Sequence, residues 1–92
     1  MTEKNLSKKV MVYLKGRTDL HPFRIEPGAY GGRGISDILL CKDGHFVAIE
    51  LKVGKNKPTK LQERFIKQIK LHGGHAFVCR SLVEVIECLT QC

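Results

Sequence analysis

Acidic side chains are in short supply in this chain. Sixteen lysines and arginines stand against nine aspartates and glutamates, a formal net charge of +7. From Gly54 to Arg80, Glu63 is the single acid among seven basic residues (Lys55, Lys57, Lys60, Arg64, Lys67, Lys70 and Arg80). Positive charge concentrated in this way is the electrostatic footprint of a nucleic-acid binder. Long apolar runs are also missing: none approaches the roughly 20 residues of a membrane span. Met1-Thr2-Glu3-Lys4 lacks the apolar core of a signal peptide. An intracellular, cytoplasmic, soluble chain with no membrane partner is expected. There is no Cys-x-x-Cys pair, so Cys41, Cys79, Cys88 and Cys92 are expected as free thiols, with Cys41 and Cys79 buried in apolar runs. His72 and His75 match no standard zinc spacing. No repeat, low-complexity tract or interdomain linker is visible, so residues 1–92 are read as one domain.

What is present reads as alternating helices and strands. Leu6, Val10 and Leu14 form one stripe of a helix over 3–15, capped by Thr2 and ended by Gly16. Asp19 to Pro22 is read as a turn into a short strand, Phe23 to Glu26, closed by Pro27-Gly28. Four glycines crowd residues 28–34. That loop is too irregular for a dinucleotide fingerprint, but it suits close approach of a phosphate backbone. Within it, Tyr30 could stack on a base or lie partly buried. Ser36 to Cys41 and Phe46 to Val53 are read as a hairpin. Thr59 and Gln62 form a capping box for a helix whose stripe is Leu61, Phe65 and Ile69, stopped by Gly73-Gly74. His75 to Cys79 is a fourth strand. Ser81 and Glu84 form a second capping box, opening a terminal helix with Leu82, Val85, Ile86 and Leu89 inward.

The hairpin carries the chemistry. Asp43-Gly44 has the composition of a two-residue turn, so Lys42 faces His45. Counting back along both strands then sets Asp37 against Glu50. Facing residues have Cβ atoms about 4.5–5.5 Å apart, and like charges there repel. Lys52, two residues beyond Glu50, falls on the same face. Opposed carboxylates beside an ammonium are suited to gripping a divalent cation. An exposed cross-strand ion pair, worth about 0–1 kcal/mol, accounts for Glu50 with Lys52 but not for the added Asp37.

In this arrangement the chain resembles the VRR-NUC domain, the virus-type replication-repair nuclease module of the PD-(D/E)XK superfamily. The resemblance rests on the element order αβββαβ, on Glu3 and Arg24, and on Gly34-Ile35-Ser36-Asp37. It continues through Phe46-Val47-Ala48-Ile49-Glu50-Leu51-Lys52, Gln62 and Gly73-Gly74. It runs over nearly the whole chain, as for an isolated module. One departure is Ser36, where the family has a structural proline.

The resemblance implies an α/β, restriction-endonuclease-like fold: an αβββαβ core, a mixed sheet flanked by helices, and here a C-terminal helix. It implies a metal-dependent, structure-specific DNA endonuclease acting on branched DNA such as Holliday junctions. Asp37, Glu50 and the Leu51 carbonyl would bind Mg2+ or Mn2+, hard cations that prefer oxygen. Lys52 would hold the attacking water and offset charge in the transition state. Gln62 would orient that water or Lys52, although a plain capping role fits it equally. Glu3 would act at the outer edge of the metal site, although the helix dipole favours an acid there in any case. Arg24, Arg33, Lys55, Lys57 and Lys60 are candidates for phosphate contacts, which position DNA without reading its sequence. Cutting both strands symmetrically would call for a homodimer; Val83, Ile86 and Leu89 offer apolar surface for that interface or simply for the core. The competing reading is a non-catalytic, basic nucleic-acid-binding module that retains the fold.

Overall fold

A computed structural model describes residues 1–26 and 33–92. In chain order the elements are α1 (Glu3–Lys15), β1 (Leu20–Arg24), β2 (Ile38–Lys42), β3 (His45–Leu51), α2 (Lys60–Leu71), β4 (His75–Cys79) and α3 (Leu82–Leu89). The four strands form one mixed sheet in the order β1-β2-β3-β4. β1 to β3 pair antiparallel and β4 joins β3 in parallel. A parallel neighbour cannot be reached by a tight turn, and α2 supplies the crossover. The expected α/β architecture is therefore the observed one. The Pro27-Gly28 closure, most of the glycine-rich loop and Tyr30 lie outside the described residues.

Two clusters hold the layers together. On one face Leu6, Val10, Met11 and Leu14 of α1 and Val85 and Leu89 of α3 pack on Ile38, Leu40, Val47, Ile49 and Leu51. On the other, Ile66 of α2 packs on Ala48 and Ala76, with Leu39, Phe65, Ile69 and Val78 around them. Along β3, Val47, Ile49 and Leu51 belong to the first cluster and Ala48 to the second, so strand alternation divides the faces. The hairpin register follows the turn. Asp43 and Gly44 both have positive φ, 49° and 85°, as a type I′ turn requires, and Lys42 pairs with His45.

Several expectations need correction. β1 begins at Leu20 rather than Phe23, so Pro22 lies inside the strand. β1 is an edge strand, where a missing N–H costs no ladder bond. The buried side of α2 is also turned from the expected stripe: Ile66 is buried, whereas Leu61 is 47% exposed. Cys41 is exposed, because α2 covers β3 and β4 and leaves the β1–β2 part of that face open, with Phe46 43% exposed beside it. All four cysteines are free; Cys79 is buried, with its sulfur 3.6 Å from that of Cys88. At α3 the Ser81 hydroxyl accepts from the Glu84 amide, but the Glu84 carboxylate accepts from the Arg80 amide, so the reciprocal half of that box is absent. Leu89 lies in the core as expected, and of the three apolar residues offered for either role on α3 only Val83 is well exposed, at 62%. Among the described residues, no helix is long and apolar enough to cross a membrane.

Candidate active site

β2 and β3 separate just beyond their last ladder pair, Ile38 with Ile49. The next residues in register are Asp37 and Glu50. The main-chain oxygen of Asp37 accepts from the Ile25 amide at 2.8 Å, extending the pairing with β1. Its Oδ2 accepts from the Leu51 amide at 2.7 Å. A side-chain oxygen therefore occupies the position where a β2 carbonyl would otherwise continue the ladder. This bond pins the carboxylate at the strand margin, next to Glu50.

Glu50 is 1% exposed. Its Oε2 lies 3.7 Å from the Lys52 ammonium, while its Oε1 is buried without a hydrogen-bond partner. Burial, then the nearness and charge of the Asp37 carboxylate, push the Glu50 carboxyl up to about 8; Lys52 opposes this and Glu3 adds to it. By itself, then, the Glu50 carboxyl holds its proton near neutral pH. Lys52 is 8% exposed, which is unusual for a lysine unless it is paired. Glu50 and Lys52 thus form a buried pair, with the half-buried Asp37 beside them, rather than an exposed salt bridge.

A hard divalent cation fits this donor set. Such ions take one or two carboxylates and keep several waters, and Glu50 Oε1 is an unsatisfied buried oxygen of the kind an ion would satisfy. Among the described residues, no three His, Cys, Asp or Glu side chains are gathered as a metal cage. His75 stacks on Phe77 and meets His45 edge-on.

Of the other candidates, Glu3 and Arg24 line a cleft of about 330 Å³ with Asp37, Lys4, Ser7, Ile25 and Glu26; Gln62, Arg33, Lys55, Lys57 and Lys60 do not line it. Glu3 is held there by the Asn56 side-chain amide, 3.3 Å from its Oε2. Arg24 is exposed and 4.0 Å from Glu26. Gln62 completes the capping box: its Oε1 accepts from the Thr59 amide at 2.8 Å and its own amide donates to Thr59 Oγ1 at 3.2 Å. Its side-chain NH2 remains for other duty. Arg33, Lys55, Lys57 and Lys60 are all exposed, Lys55 and Lys57 on the loop that follows Lys52 and Lys60 at the start of α2. The Arg80 guanidinium ties that loop down by donating to the Gly54 carbonyl at 3.0 Å.

Sequence reasoning missed Lys4 and Ser7. Ser7 Oγ is buried without a partner, on the cleft wall one helical turn from Glu3. The available signal was that i, i+4 spacing, a polar residue beside the buried stripe of α1.

No protein-family model matches the chain, and no curated protein does. A solved structure described as a VRR_NUC domain protein shares the fold, with a TM-score of 0.78 over 99% of this chain and 87% of that one, at 20% identity. The fold implied by the resemblance is therefore the fold found.

Proposed function

We propose that this chain is a metal-dependent, structure-specific DNA endonuclease that hydrolyses phosphodiester bonds in branched DNA such as Holliday junctions. The observation that carries the reading is the Asp37–Glu50 pair, with one buried Glu50 oxygen unpartnered and Lys52 alongside, on a VRR_NUC fold.

Asp37, Glu50 and the Leu51 carbonyl would hold Mg2+ or Mn2+, which supplies Lewis-acid stabilisation of the phosphoryl charge and a water of lowered pKa. The chain's own residues do the rest. The Leu51 amide fixes the Asp37 carboxylate before substrate arrives. Lys52, held in place by Glu50, directs a proton-donating group at the attacking water and the phosphoryl oxygens. Gln62 turns its free NH2 toward that water, and Glu3 accepts from it at the outer edge. Arg24, Arg33, Lys55, Lys57 and Lys60 position the backbone. Two copies would be needed for paired incisions.

Labelled four-way junctions and linear duplexes incubated with magnesium, manganese or chelator test this. Cleavage is expected with either metal, faster on the junction, and none with chelator. Binding of DNA without cutting under any of these conditions would leave the non-catalytic module standing instead.

A further inference from the structure

A line of positive charge on α1 takes no part in the reaction just described. Lys4, Lys8 and Lys15 recur at i, i+4 and i+11, and Met11 fills i+7, so all four fall within one narrow arc of the helix. The three lysines are exposed, and the arc borders the buried stripe of Leu6, Val10 and Leu14. There, a groove of about 360 Å³ is lined by Lys8, Met11, Val12, Lys15 and Arg24. Arg24 also lines the carboxylate cleft, together with Lys4 and Asp37. Arg24 is therefore common to both depressions, which lie in succession along α1 and together form the α1–β1 groove. Its acids, Glu3 and Glu26, lie at the Asp37 end; the remainder is lined by cations and apolar side chains.

We propose that this α1–β1 groove is a second nucleic-acid docking surface, which takes the phosphodiester backbone of the DNA arm leaving the cleavage site. The choice of DNA, and of the end at which the track starts, rests on the endonuclease reading. The eleven helical steps from Lys4 to Lys15 rise about 16 Å, equal to about five phosphates of one strand counted along the B-DNA axis. Met11 and Val12 give the sugars an apolar floor between the charges. An anionic bilayer fits less well. A membrane-surface helix must bury its apolar face in lipid, and the apolar face of α1 is already in the core.

Neighbouring lysines supply the test. Lys8 lines the groove, whereas Lys9 lies about 100° round the same helix and does not line it. Binding of a labelled four-way junction and a 20-base-pair duplex is measured in chelator, so that no cutting intervenes, over a range of salt concentrations. Lys8→Glu and Lys15→Glu should each weaken binding roughly five-fold or more and lower the salt slope by about one, the signature of a lost phosphate contact. Lys9→Glu, with the same change in net charge, should bind within about two-fold of the parent. Equal losses for Lys8→Glu and Lys9→Glu would reduce the effect to net charge and overturn the proposal, as would no loss for Lys8→Glu. So would loss of binding to anionic vesicles in Lys8→Glu with DNA binding intact. The two readings fail separately. A parent protein that cuts nothing, with Lys8→Glu still selectively impaired in binding, removes the endonuclease and keeps the track. A parent that cuts while Lys8→Glu binds normally removes the track alone.

Discussion

The carboxylate of Asp37 accepts the Leu51 amide at 2.7 Å, so an acidic side chain completes the β2–β3 hydrogen bonding where the main chain no longer does. Structure and proposed chemistry therefore depend on the same atoms, and substitutions at Asp37 should separate them. Asp37→Asn keeps an oxygen acceptor for Leu51 while removing the charge. It should abolish metal-dependent cleavage without lowering the melting temperature. Asp37→Ala leaves that amide unpaired, and should cost about 1–3 kcal/mol in addition, read from urea unfolding curves of both variants.

Glu50 sets a pH dependence of opposite sense to ordinary acid denaturation. Its folded carboxyl is pushed up to about 8 from 4.5, so between those values the native state keeps a proton that the unfolded chain has released. Stability in chelator should fall as pH rises through that window, at up to about 1.4 kcal/mol per pH unit, and level off above it. Glu50→Gln should flatten the fall. Magnesium should lessen it too, since a cation replaces the proton. Urea melts from pH 5 to 9, with metal or chelator, check all three.

Lys52 is buried against Glu50 and is proposed to act on the transition state. Lys52→Ala should lower the cleavage rate by about 10²–10³-fold, the usual cost of removing one such donor. Junction affinity in chelator should change little, because the residue is buried against Glu50 and offers little surface for a backbone contact. A rate within a few-fold of the parent would remove the assignment.

Gln62 has two candidate duties that one pair of variants can part. Gln62→Glu preserves the acceptor used by the Thr59 amide but loses the NH2 proposed to face the water. It should melt like the parent and cut more slowly. Gln62→Ala should do worse on both counts, losing roughly 0.5–2 kcal/mol with the cap. If Gln62→Glu cuts at the parent rate, the residue is a cap and nothing more.

Gly34 and Gly44 should respond unequally to alanine. Both have positive φ, 82° and 85°. A Cβ on Gly44 meets nothing within 4 Å, whereas one on Gly34 would lie 2.5 Å from the Leu61 carbonyl oxygen. Gly44→Ala should cost about 1–2 kcal/mol from backbone strain alone. Gly34→Ala should cost distinctly more and reduce activity, because Asp37 lies three residues along; thermal melts of the two variants decide.

Much of this fold is local, and what is local could be read from the chain. α1 runs over the expected residues because its cap, stripe and terminator lie within one short window. Asp43-Gly44 fixed the hairpin register through two residues that tolerate positive φ, and with it the approach of Asp37 to Glu50. Elements that depend on their neighbours were harder to place. Pro22 sits in a strand only because β1 is at the sheet's edge, and Cys41 is exposed because α2 stops short of β2. Leu61 faces outward because α2 turns on β3 and β4 by a rotation that periodicity alone leaves open.

Residue type and spacing alone determined that two carboxylates and a lysine would share one face of a hairpin, since strand alternation and a two-residue turn allow little else. Tertiary structure decided what that proximity means. Burial keeps Glu50 protonated, the Leu51 amide aims Asp37, and α1 brings Glu3, Lys4 and Ser7 to the cleft that Asp37 lines. These outcomes turn on dielectric and on distances between segments remote in sequence, quantities that exist only once the layers have packed.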